Sequence, residues 1–233
     1  MLSIFARYAV FLTLLSGVAY ADNFSFAGTF SQDDNVQLFN FVVGAPSAVT
    51  LRTWSYAGGT NAAGNVIARG GFDPILALFN SSGAFIDQND DGGCGTVAAD
   101  SVSGVCWDTF LTASLVAGSY TVAVMEFDNF ANGPNLSNGF TRSGQGNFTG
   151  PLTNHPGESF WDVTNTHRDN HWAFDILNVQ AATQTETPVP EPASMFSLLP
   201  ALLALGGGFV RLRRTCSLRI CPLEREFSSN GRM

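Results

Sequence analysis

Short apolar runs separated by turn residues constrain the fold of this chain more than any other feature. In the run 119–127, Tyr120, Val122 and Val124 alternate with the residues between them, which is the two-residue period of a half-buried β-strand. The body of the chain contains no convincing helix by the same criterion. The runs that predict strands are 24–30, 36–43, 49–56, 75–80, 84–87, 107–115, 119–127 and 171–179.

Two stretches between these runs are rich in glycine and asparagine and are predicted to be loops. The first covers residues 60–71, and the second is the long polar stretch 128–170. Four aromatic residues are expected to anchor the second stretch: Phe140, Phe148, Phe160 and Trp161. Short strands with frequent turns are typical of antiparallel sheets that pack face to face. The sequence therefore predicts an all-β fold, an antiparallel β-sandwich of jelly-roll type.

The first 21 residues have the layout of a secretory signal peptide. Arg7 is followed by the apolar run 8–18 and by the small-residue cleavage site Ala19-Tyr20-Ala21. Cleavage is expected before Asp22. The body of the protein is therefore expected to work outside the cytoplasm.

A segment of three parts lies near the other end of the chain. It consists of a Pro-Glu-Pro motif, an uncharged apolar run at 195–210 that is predicted to be helical, and an arginine cluster at 211–214. The motif residues are Val189, Pro190, Glu191, Pro192, Ala193 and Ser194, and the arginines are Arg211, Arg213 and Arg214. Arginines in this position keep the end of a membrane segment on the cytoplasmic side. The apolar run has 16 residues, fewer than the roughly 20 of a spanning helix. The segment is therefore interpreted either as a sorting tail that is cleaved or as an ordinary membrane anchor.

This order of motif, apolar run and arginines resembles the PEP-CTERM sorting signal of Gram-negative bacteria. In that family an exosortase in the membrane processes the tail and releases the body into the exopolysaccharide matrix. The resemblance implies a protein that is exported, anchored transiently in the inner membrane, and then placed at the cell surface or in the extracellular matrix. The implied partners are the exosortase, the secretion machinery, the inner membrane and exopolysaccharide.

These features divide the chain into five parts. They are a signal peptide (1–21), a β-sandwich domain (22–182), a Thr/Pro-rich linker (183–188), the sorting tail (189–214) and an extension (215–233). The extension is expected to be cytoplasmic. It departs from the family, in which the tail ends at the arginines.

A second resemblance concerns the body. The runs 72–83, 89–93 and 115–124, which contain Phe72-Asp73-Pro74 and Asn89-Asp90-Asp91-Gly92-Gly93, are similar to the bacterial pre-peptidase C-terminal domain. That domain is a β-sandwich module found beside secreted enzymes. The similarity covers residues 33–127, and the segment beyond departs from the short form of the module.

The charge of the body excludes one class of partner. Residues 22–192 contain 17 acidic residues and four arginines, and the chain has no lysine. A surface this acidic does not bind nucleic acid through its phosphates. It suits a secreted protein, and divalent cations would offset its self-repulsion.

Two of the four cysteines, Cys94 and Cys106, lie in the exported body, and the other two follow the arginine cluster. An oxidising periplasm would join Cys94 to Cys106, since the other two stay on the reducing side. The alternative is a pair of free buried thiols.

The acidic turn that begins at Asp87 is the candidate metal site. Asp87, Asn89 and Asp91 alternate in a glycine-bent loop, a spacing that lets oxygen ligands converge on calcium. Asp33, Asp34, Asp73 and Asp128 are weaker contributors from other turns. The alternative is a solvated turn in which Asp and Asn side chains accept hydrogen bonds from their own backbone.

Catalytic motifs are absent from the sequence. It contains neither Gly-x-Ser-x-Gly nor His-Glu-x-x-His. Exposed tryptophans could stack on sugar rings, although most tryptophans belong to cores. The four are Trp54, Trp107, Trp161 and Trp172. We therefore expect a non-enzymatic surface or matrix protein whose body binds calcium or glycan. The alternative is a secreted carbohydrate-active or proteolytic enzyme with the same tail.

Overall fold

The structure is a computed structural model that describes residues 21–185. Within them lie eleven strands, one 3₁₀ turn (Leu136–Asn138) and one helical turn, α1 (Thr149–Leu152). The strands are β1 (Asp22–Thr29), β2 (Gln37–Val43), β3 (Ser47–Thr53), β4 (Gly59–Thr60), β5 (Val66–Ile67), β6 (Pro74–Asn80), β7 (Phe85–Asn89), β8 (Phe110–Leu115), β9 (Gly118–Glu126), β10 (His171–Val179) and β11 (Ala181–Gln184). The predicted signal peptide, the predicted sorting tail with its expected apolar helix, and the extension lie outside these residues. No helix within 21–185 has the length and apolar character needed to cross a membrane.

Two antiparallel sheets form the sandwich that the sequence predicts. One has the strand order β1-β10-β3-β8, and the other has the order β11-β2-β9-β6-β7. The eight longer strands alternate between the sheets along the chain, except at the β6–β7 hairpin, where both strands lie in the second sheet. The all-β, antiparallel prediction is confirmed.

The main core lies between the sheets and is rich in aromatic residues. Alternate side chains of β2, including Phe39 and Phe41, point into it and are at most 1% exposed. Phe174 on the facing sheet lies against Phe39, with ring centroids 5.1 Å apart. Burying a side chain of this size contributes about 1.5–3 kcal/mol, so these strands are held mainly by their inward faces.

The outer face of β6 and β9 is covered as well, which corrects one expectation. Run 119–127 predicts a half-buried strand, yet Ala123 and Met125 are 0% exposed, as are Val122 and Val124 on the opposite face. A second cluster covers the outer face with side chains from residues 127–140. Its members there are Phe127, Phe130, Ala131, Leu136 and Phe140. The polar stretch that follows β9 therefore packs against the outer face of the sheet. The alternation of residues within a strand does not show whether another segment covers its outer face.

Several element boundaries also differ from the prediction. The loop predicted at 60–71 contains half of a small hairpin, in which Gly59–Thr60 pairs with Val66–Ile67. The expected long strand at 107–115 begins only at Phe110. Thr183 and Gln184 were assigned to the linker, but they pair with Asn40 and Phe39 in β11. These boundaries depend on which backbone groups form hydrogen bonds, and amino-acid composition does not show that.

Candidate functional site

One end of the five-stranded sheet collects carboxylates from three elements. Because β6 runs antiparallel to β7 and β9, the residue before β6 lies beside the ends of the other two strands. Asp73 immediately precedes β6, Asp90 and Asp91 follow β7, and Glu126 is the last residue of β9. The register pairs Pro74 with Glu126. Strand pairing thus brings together residues that are distant in the sequence.

Three of these carboxylates form what we call the acidic cluster: Asp73, Asp90 and Asp91. Each offers an oxygen atom, and these atoms all lie within 4.8 Å of one another. Asp73 is buried at 5% exposure, Asp90 is half-buried and Asp91 is exposed. The cluster therefore extends from the interior to the surface.

Hydrogen-bond donors are missing around the buried end of the cluster. Asp73 Oδ1 and Asp90 Oδ1 are buried and have no hydrogen-bond partner among the described residues. Glu126 is 2% exposed, and its Oε2 has no partner within residues 21–185 either. A buried carboxylate oxygen without a hydrogen-bond partner lowers the stability of the fold more than an unpaired neutral group does.

This environment raises the pKa of each carboxyl group in the cluster. Burial is the first cause of the raised pKa of Asp73, and repulsion from Asp90 and Asp91 follows. Burial and then the charge of Asp91 raise the pKa of Asp90 to about 6. Burial also raises the pKa of Asp91. For Glu126, burial and then nearby aspartates raise the pKa well above its ordinary value. Each shift has the direction expected where negative charge is uncompensated.

The structure places the predicted calcium ligands differently from their alternating pattern. Asp91 belongs to the cluster, and Asp87 is not among its carboxylates. Asp87 is exposed, and its Oδ1 accepts a hydrogen bond from the Gln88 N–H at 2.8 Å. Asn89 Oδ1 accepts one from the Phe110 N–H at 2.9 Å. Asp87 and Asn89 belong to β7, so the turn begins only after them, and their role as calcium ligands stays a prediction.

Asp90 lies within the acidic turn that the sequence identifies, but the alternating ligand pattern does not include it, and Glu126 is not among the predicted ligands. Asp90 lies between the predicted ligands Asn89 and Asp91, and Glu126 fits the alternation expected of an ordinary strand. Asp73 was recognised as a weak contributor only. The Asp-Pro pair is the one local signal, because a proline within a sheet is favoured at the first residue of a strand, which places Asp73 just before β6.

The glycines after Asp91 shape this turn in two ways. A Cβ atom on Gly92 would lie 2.7 Å from Val97 Cγ1, and the Gly92 N–H donates to the Asp108 carbonyl at 2.9 Å. Gly93 has a φ of 72°, which favours glycine. The backbone beside the cluster is therefore held against the start of β8.

The predicted disulfide closes the same region. Cys94 and Cys106 are bonded across a sequence separation of 12. The bond lies between the acidic turn and β8. Closing a loop of this length contributes about 3 kcal/mol by restricting the unfolded chain, and it limits the motion of the segment that follows the cluster.

Other buried carboxylates of the sandwich have donors. Asp33 accepts hydrogen bonds from the Phe148 and Thr149 N–H groups at 2.8 and 3.0 Å. Asp108 accepts three, from Thr53 Oγ1 at 2.9 Å, the Tyr56 N–H at 3.1 Å and the Ala57 N–H at 2.8 Å. These aspartates hold loops against the strands and leave little capacity for a ligand.

Three of the four tryptophans serve the fold. Trp172 is 2% exposed, and its ring meets that of Phe39 edge-on at 5.6 Å between centroids. Trp54 Nε1 donates to Asp175 Oδ2 at 2.7 Å. Trp107 lies edge-on to Tyr56 with centroids 5.2 Å apart. The expectation that most tryptophans are structural fits these three.

Trp161 is the tryptophan that lines a surface cavity. Its ring stacks on His155 with centroids 3.4 Å apart, and its Nε1 donates to Glu158 Oε2 at 3.0 Å. The cavity has a volume of about 230 Å³ and is bordered by Leu152 and Val163, which are more than half exposed. Trp161 thus contributes an aromatic side chain to the wall of this cavity, with His155 stacked on one face of its ring.

No family model matches this chain, and no curated protein matches it. Among solved structures, it is similar to the pre-peptidase C-terminal domain of collagenase from Bacillus anthracis, at 9% identity and a TM-score of 0.31. The similarity covers 69% of this chain and 89% of that chain. It concerns the module that the sequence of the body resembles, but a TM-score this low carries no argument about a site or a function.

Proposed function

We propose that this protein is an exported, non-enzymatic β-sandwich of jelly-roll type, sorted by an exosortase through its PEP-CTERM tail to the cell surface or the exopolysaccharide matrix. The jelly-roll assignment rests on the alternation of the eight longer strands between two four-stranded groups. The sorting assignment rests on the motif Val189 to Ser194, the apolar run and the arginines.

The limits of the folded body carry this proposal. β1 begins at Asp22, the first residue after the expected signal-peptide cleavage site. The last backbone hydrogen bond of the sandwich runs from the Thr185 N–H to the Leu38 carbonyl at 2.9 Å. Three residues then separate Thr185 from Val189, the first residue of the motif. Both cleavages would therefore leave every strand of the sandwich intact.

The disulfide supports an extracytoplasmic destination. Bonds such as Cys94–Cys106 form and persist in oxidising compartments and are rare where glutathione keeps thiols reduced. The acidic surface supports the same destination, because it gives a solvated body that stays free of nucleic acid.

Mass spectrometry of the mature protein tests the proposal. The chain is expressed in a Gram-negative bacterium that has an exosortase, and the culture supernatant and the membranes are analysed separately. We expect a body in the supernatant that begins at Asp22 and ends between Pro190 and Ala193. An intact tail recovered in the membranes would contradict processing and indicate a permanent anchor.

Two proline variants make this test specific for the motif. Changing Pro190→Ala together with Pro192→Ala removes the rigid motif and is expected to keep the full chain in the membranes. Pro188→Ala changes a proline of the linker just outside the motif and serves as the matched control. Equal release of both variants would overturn the role of the motif.

We propose a glycan contact at Trp161 as a second role of the body, because this ring borders an open cavity. Exopolysaccharide from the producing strain is expected to retain the wild-type protein, and Trp161→Ala is expected to weaken that retention. Trp107→Phe, at a tryptophan packed on Tyr56, is the control. Turnover of the polysaccharide in the same assay would instead favour the enzyme alternative.

A further inference from the structure

We propose that the acidic cluster binds one divalent cation of the calcium type, held by carboxylate oxygens of Asp73, Asp90 and Asp91. The inference concerns the folded body alone and does not depend on how the tail is processed. It differs from the site predicted by alternation in the sequence, which used Asp87, Asn89 and Asp91.

The spacing of the oxygen atoms suits calcium. Calcium–oxygen distances are about 2.3–2.6 Å, so ligands on opposite sides of one ion lie up to about 5 Å apart. The oxygens of Asp73, Asp90 and Asp91 all fall within 4.8 Å of one another. One ion placed among them can therefore contact all three with small side-chain adjustments.

Burial of Asp73 is the observation that distinguishes this cluster from a surface group of acids. Its side chain is almost fully buried and belongs to the cluster, and its Oδ1 has no hydrogen-bond partner among the described residues. Asp90 Oδ1 is in the same condition. Buried charges are normally paired or coordinated to a metal, and the protein supplies no pair at this position.

The arginines of the body are used elsewhere. Within residues 21–185, Arg69 pairs with Asp100, Arg142 with Asp128, and Arg168 with Asp100 and Asp162. Arg52 lies over the ring of Trp54, 3.8 Å from its centroid. None of these described salt bridges reaches the acidic cluster, so its positive partner has to come from solution.

The ligand chemistry favours calcium over softer metals. All three groups are carboxylates, and hard oxygen ligands of this kind suit calcium and magnesium rather than zinc or copper. Cys94 and Cys106 are joined in the disulfide, so neither offers a thiolate. Asp91 is exposed, which leaves an entry path and room for the waters that would complete a shell of six to eight oxygens.

A bound ion would join the start of β6 to the chain that leaves β7. The same chain continues through Gly92, which donates to Asp108, into the disulfide loop. Calcium is therefore expected to stabilise the sandwich and to slow hydrogen exchange in residues 90–108.

Calorimetric titration with CaCl₂ tests the site. The protein is used in whichever form the cells produce, either the cleaved body or the detergent-extracted full chain, after treatment with a chelator. We expect one calcium per chain and a rise in the unfolding temperature, since a ligand that binds only the folded state stabilises it. No binding heat together with an unchanged unfolding temperature would overturn the proposal.

Three substitutions locate the site. Asp73→Asn and Asp91→Asn each remove one ligand charge and are expected to weaken calcium binding about tenfold or more, at least the loss seen for outer-shell partners. Asp87→Asn is the matched control, because it removes an exposed carboxylate of β7 that is near the acidic cluster in the sequence but is not one of its members. Loss of binding in Asp87→Asn with retention in Asp73→Asn would overturn the assignment.

Folding of the variants is checked without calcium. Asp91 is exposed, so Asp91→Asn is expected to keep the wild-type near-ultraviolet circular dichroism and unfold cooperatively. Its weaker calcium binding would then report a lost ligand and not a lost fold. Wild-type calcium affinity in this folded variant would contradict the site.

Discussion

Two groups of buried carboxylates in this sandwich lie under opposite conditions. The arginine network, defined as Arg69, Asp100, Asp162 and Arg168, pairs each acid with donors. Arg168 is 3% exposed and donates to the Tyr56 carbonyl at 2.9 Å, while the Tyr56 hydroxyl donates to Asp162 at 2.8 Å. The acidic cluster at the end of the five-stranded sheet has no such donors for its buried oxygens within residues 21–185.

The two regions shift the same ionisable group in opposite directions. The hydrogen bond from Arg69 is the main cause that holds the pKa of Asp100 well below its usual range. In the acidic cluster, burial raises the pKa of Asp73 well above that range. Asp100 is stabilised as an anion by the donors around it. A buried aspartate without such donors, like Asp73, needs a cation or a proton from solution.

The arginine network should show the largest effect of substitution. Asp100→Asn is expected to lower the free energy of unfolding by about 4 kcal/mol at pH 7, because it leaves the buried Arg168 with a weakened partner. Urea denaturation with and without CaCl₂ measures this loss, which should be the same in both conditions. A loss below about 1 kcal/mol would show that the network is not a stabilising element.

Acid should reduce the contribution of Asp100. Since its pKa is lower in the folded than in the unfolded protein, its stabilisation is present above the unfolded pKa of about 3.9 and is lost as the pH falls through the folded pKa. The difference in unfolding free energy between wild type and Asp100→Asn should therefore narrow between about pH 6 and pH 3. An equal difference at both pH values would contradict the cited shift.

Removing a carboxylate that is satisfied by backbone donors should have the next largest effect. Asp108→Ala leaves the N–H groups of Tyr56 and Ala57 without their acceptor. The expected cost is about 3 kcal/mol, measured by urea denaturation. It should not depend on calcium, and a cost that vanished in CaCl₂ would place Asp108 functionally with the acidic cluster.

The acidic cluster should respond in the opposite sense. In a chelator at pH 7, Asp73→Asn is expected to raise the free energy of unfolding by about 1 kcal/mol, because it removes a buried carboxyl group without donors. In CaCl₂ the same variant should be less stable than wild type, since it has lost a ligand. If Asp73→Asn lowered the free energy of unfolding equally in both conditions, Asp73 would stabilise the fold without calcium, as Asp100 does.

Asp87→Asn should have the smallest effect. Its side chain is exposed on β7 and accepts one hydrogen bond from the adjacent Gln88 N–H. The change in unfolding free energy should stay within about 0.5 kcal/mol with or without calcium. A larger calcium-dependent change would favour Asp87 as a calcium ligand, as the alternation in the sequence predicts.

Much of the fold could be predicted from the sequence, because strand period and turn residues are local signals. The predicted run 171–179 coincides with β10, and the predicted runs 75–80 and 84–87 correspond to the paired strands β6 and β7. The double-sided burial of β9 could not be predicted, because Phe130, Leu136 and Phe140 reach it from a stretch that looks like a polar loop. β11 was missed for a similar reason, since Ala181–Gln184 has the composition of a linker.

The candidate site was predicted only in part. The acidic turn and Asp91 were identified, while the alternation within the turn suggested Asp87 and Asn89. Their backbone is still paired with β6, with Asp87 opposite Leu78 and Asn89 opposite Leu76. No local pattern shows where a strand stops being paired, so spacing alone could not show that Asp73, Asp90 and Asp91 lie together.

From composition and short-range order, the sequence predicts an acidic, all-β body with one disulfide, and the structure has these features. Export and the sorting tail stay predictions from the sequence. The tertiary structure decided which carboxylates meet. Asp73 and Asp90 become neighbours because β6 and β7 are antiparallel and share one end of the sheet. The same packing leaves Asp73 Oδ1 without a hydrogen-bond donor among the described residues and makes this aspartate part of the proposed cation site.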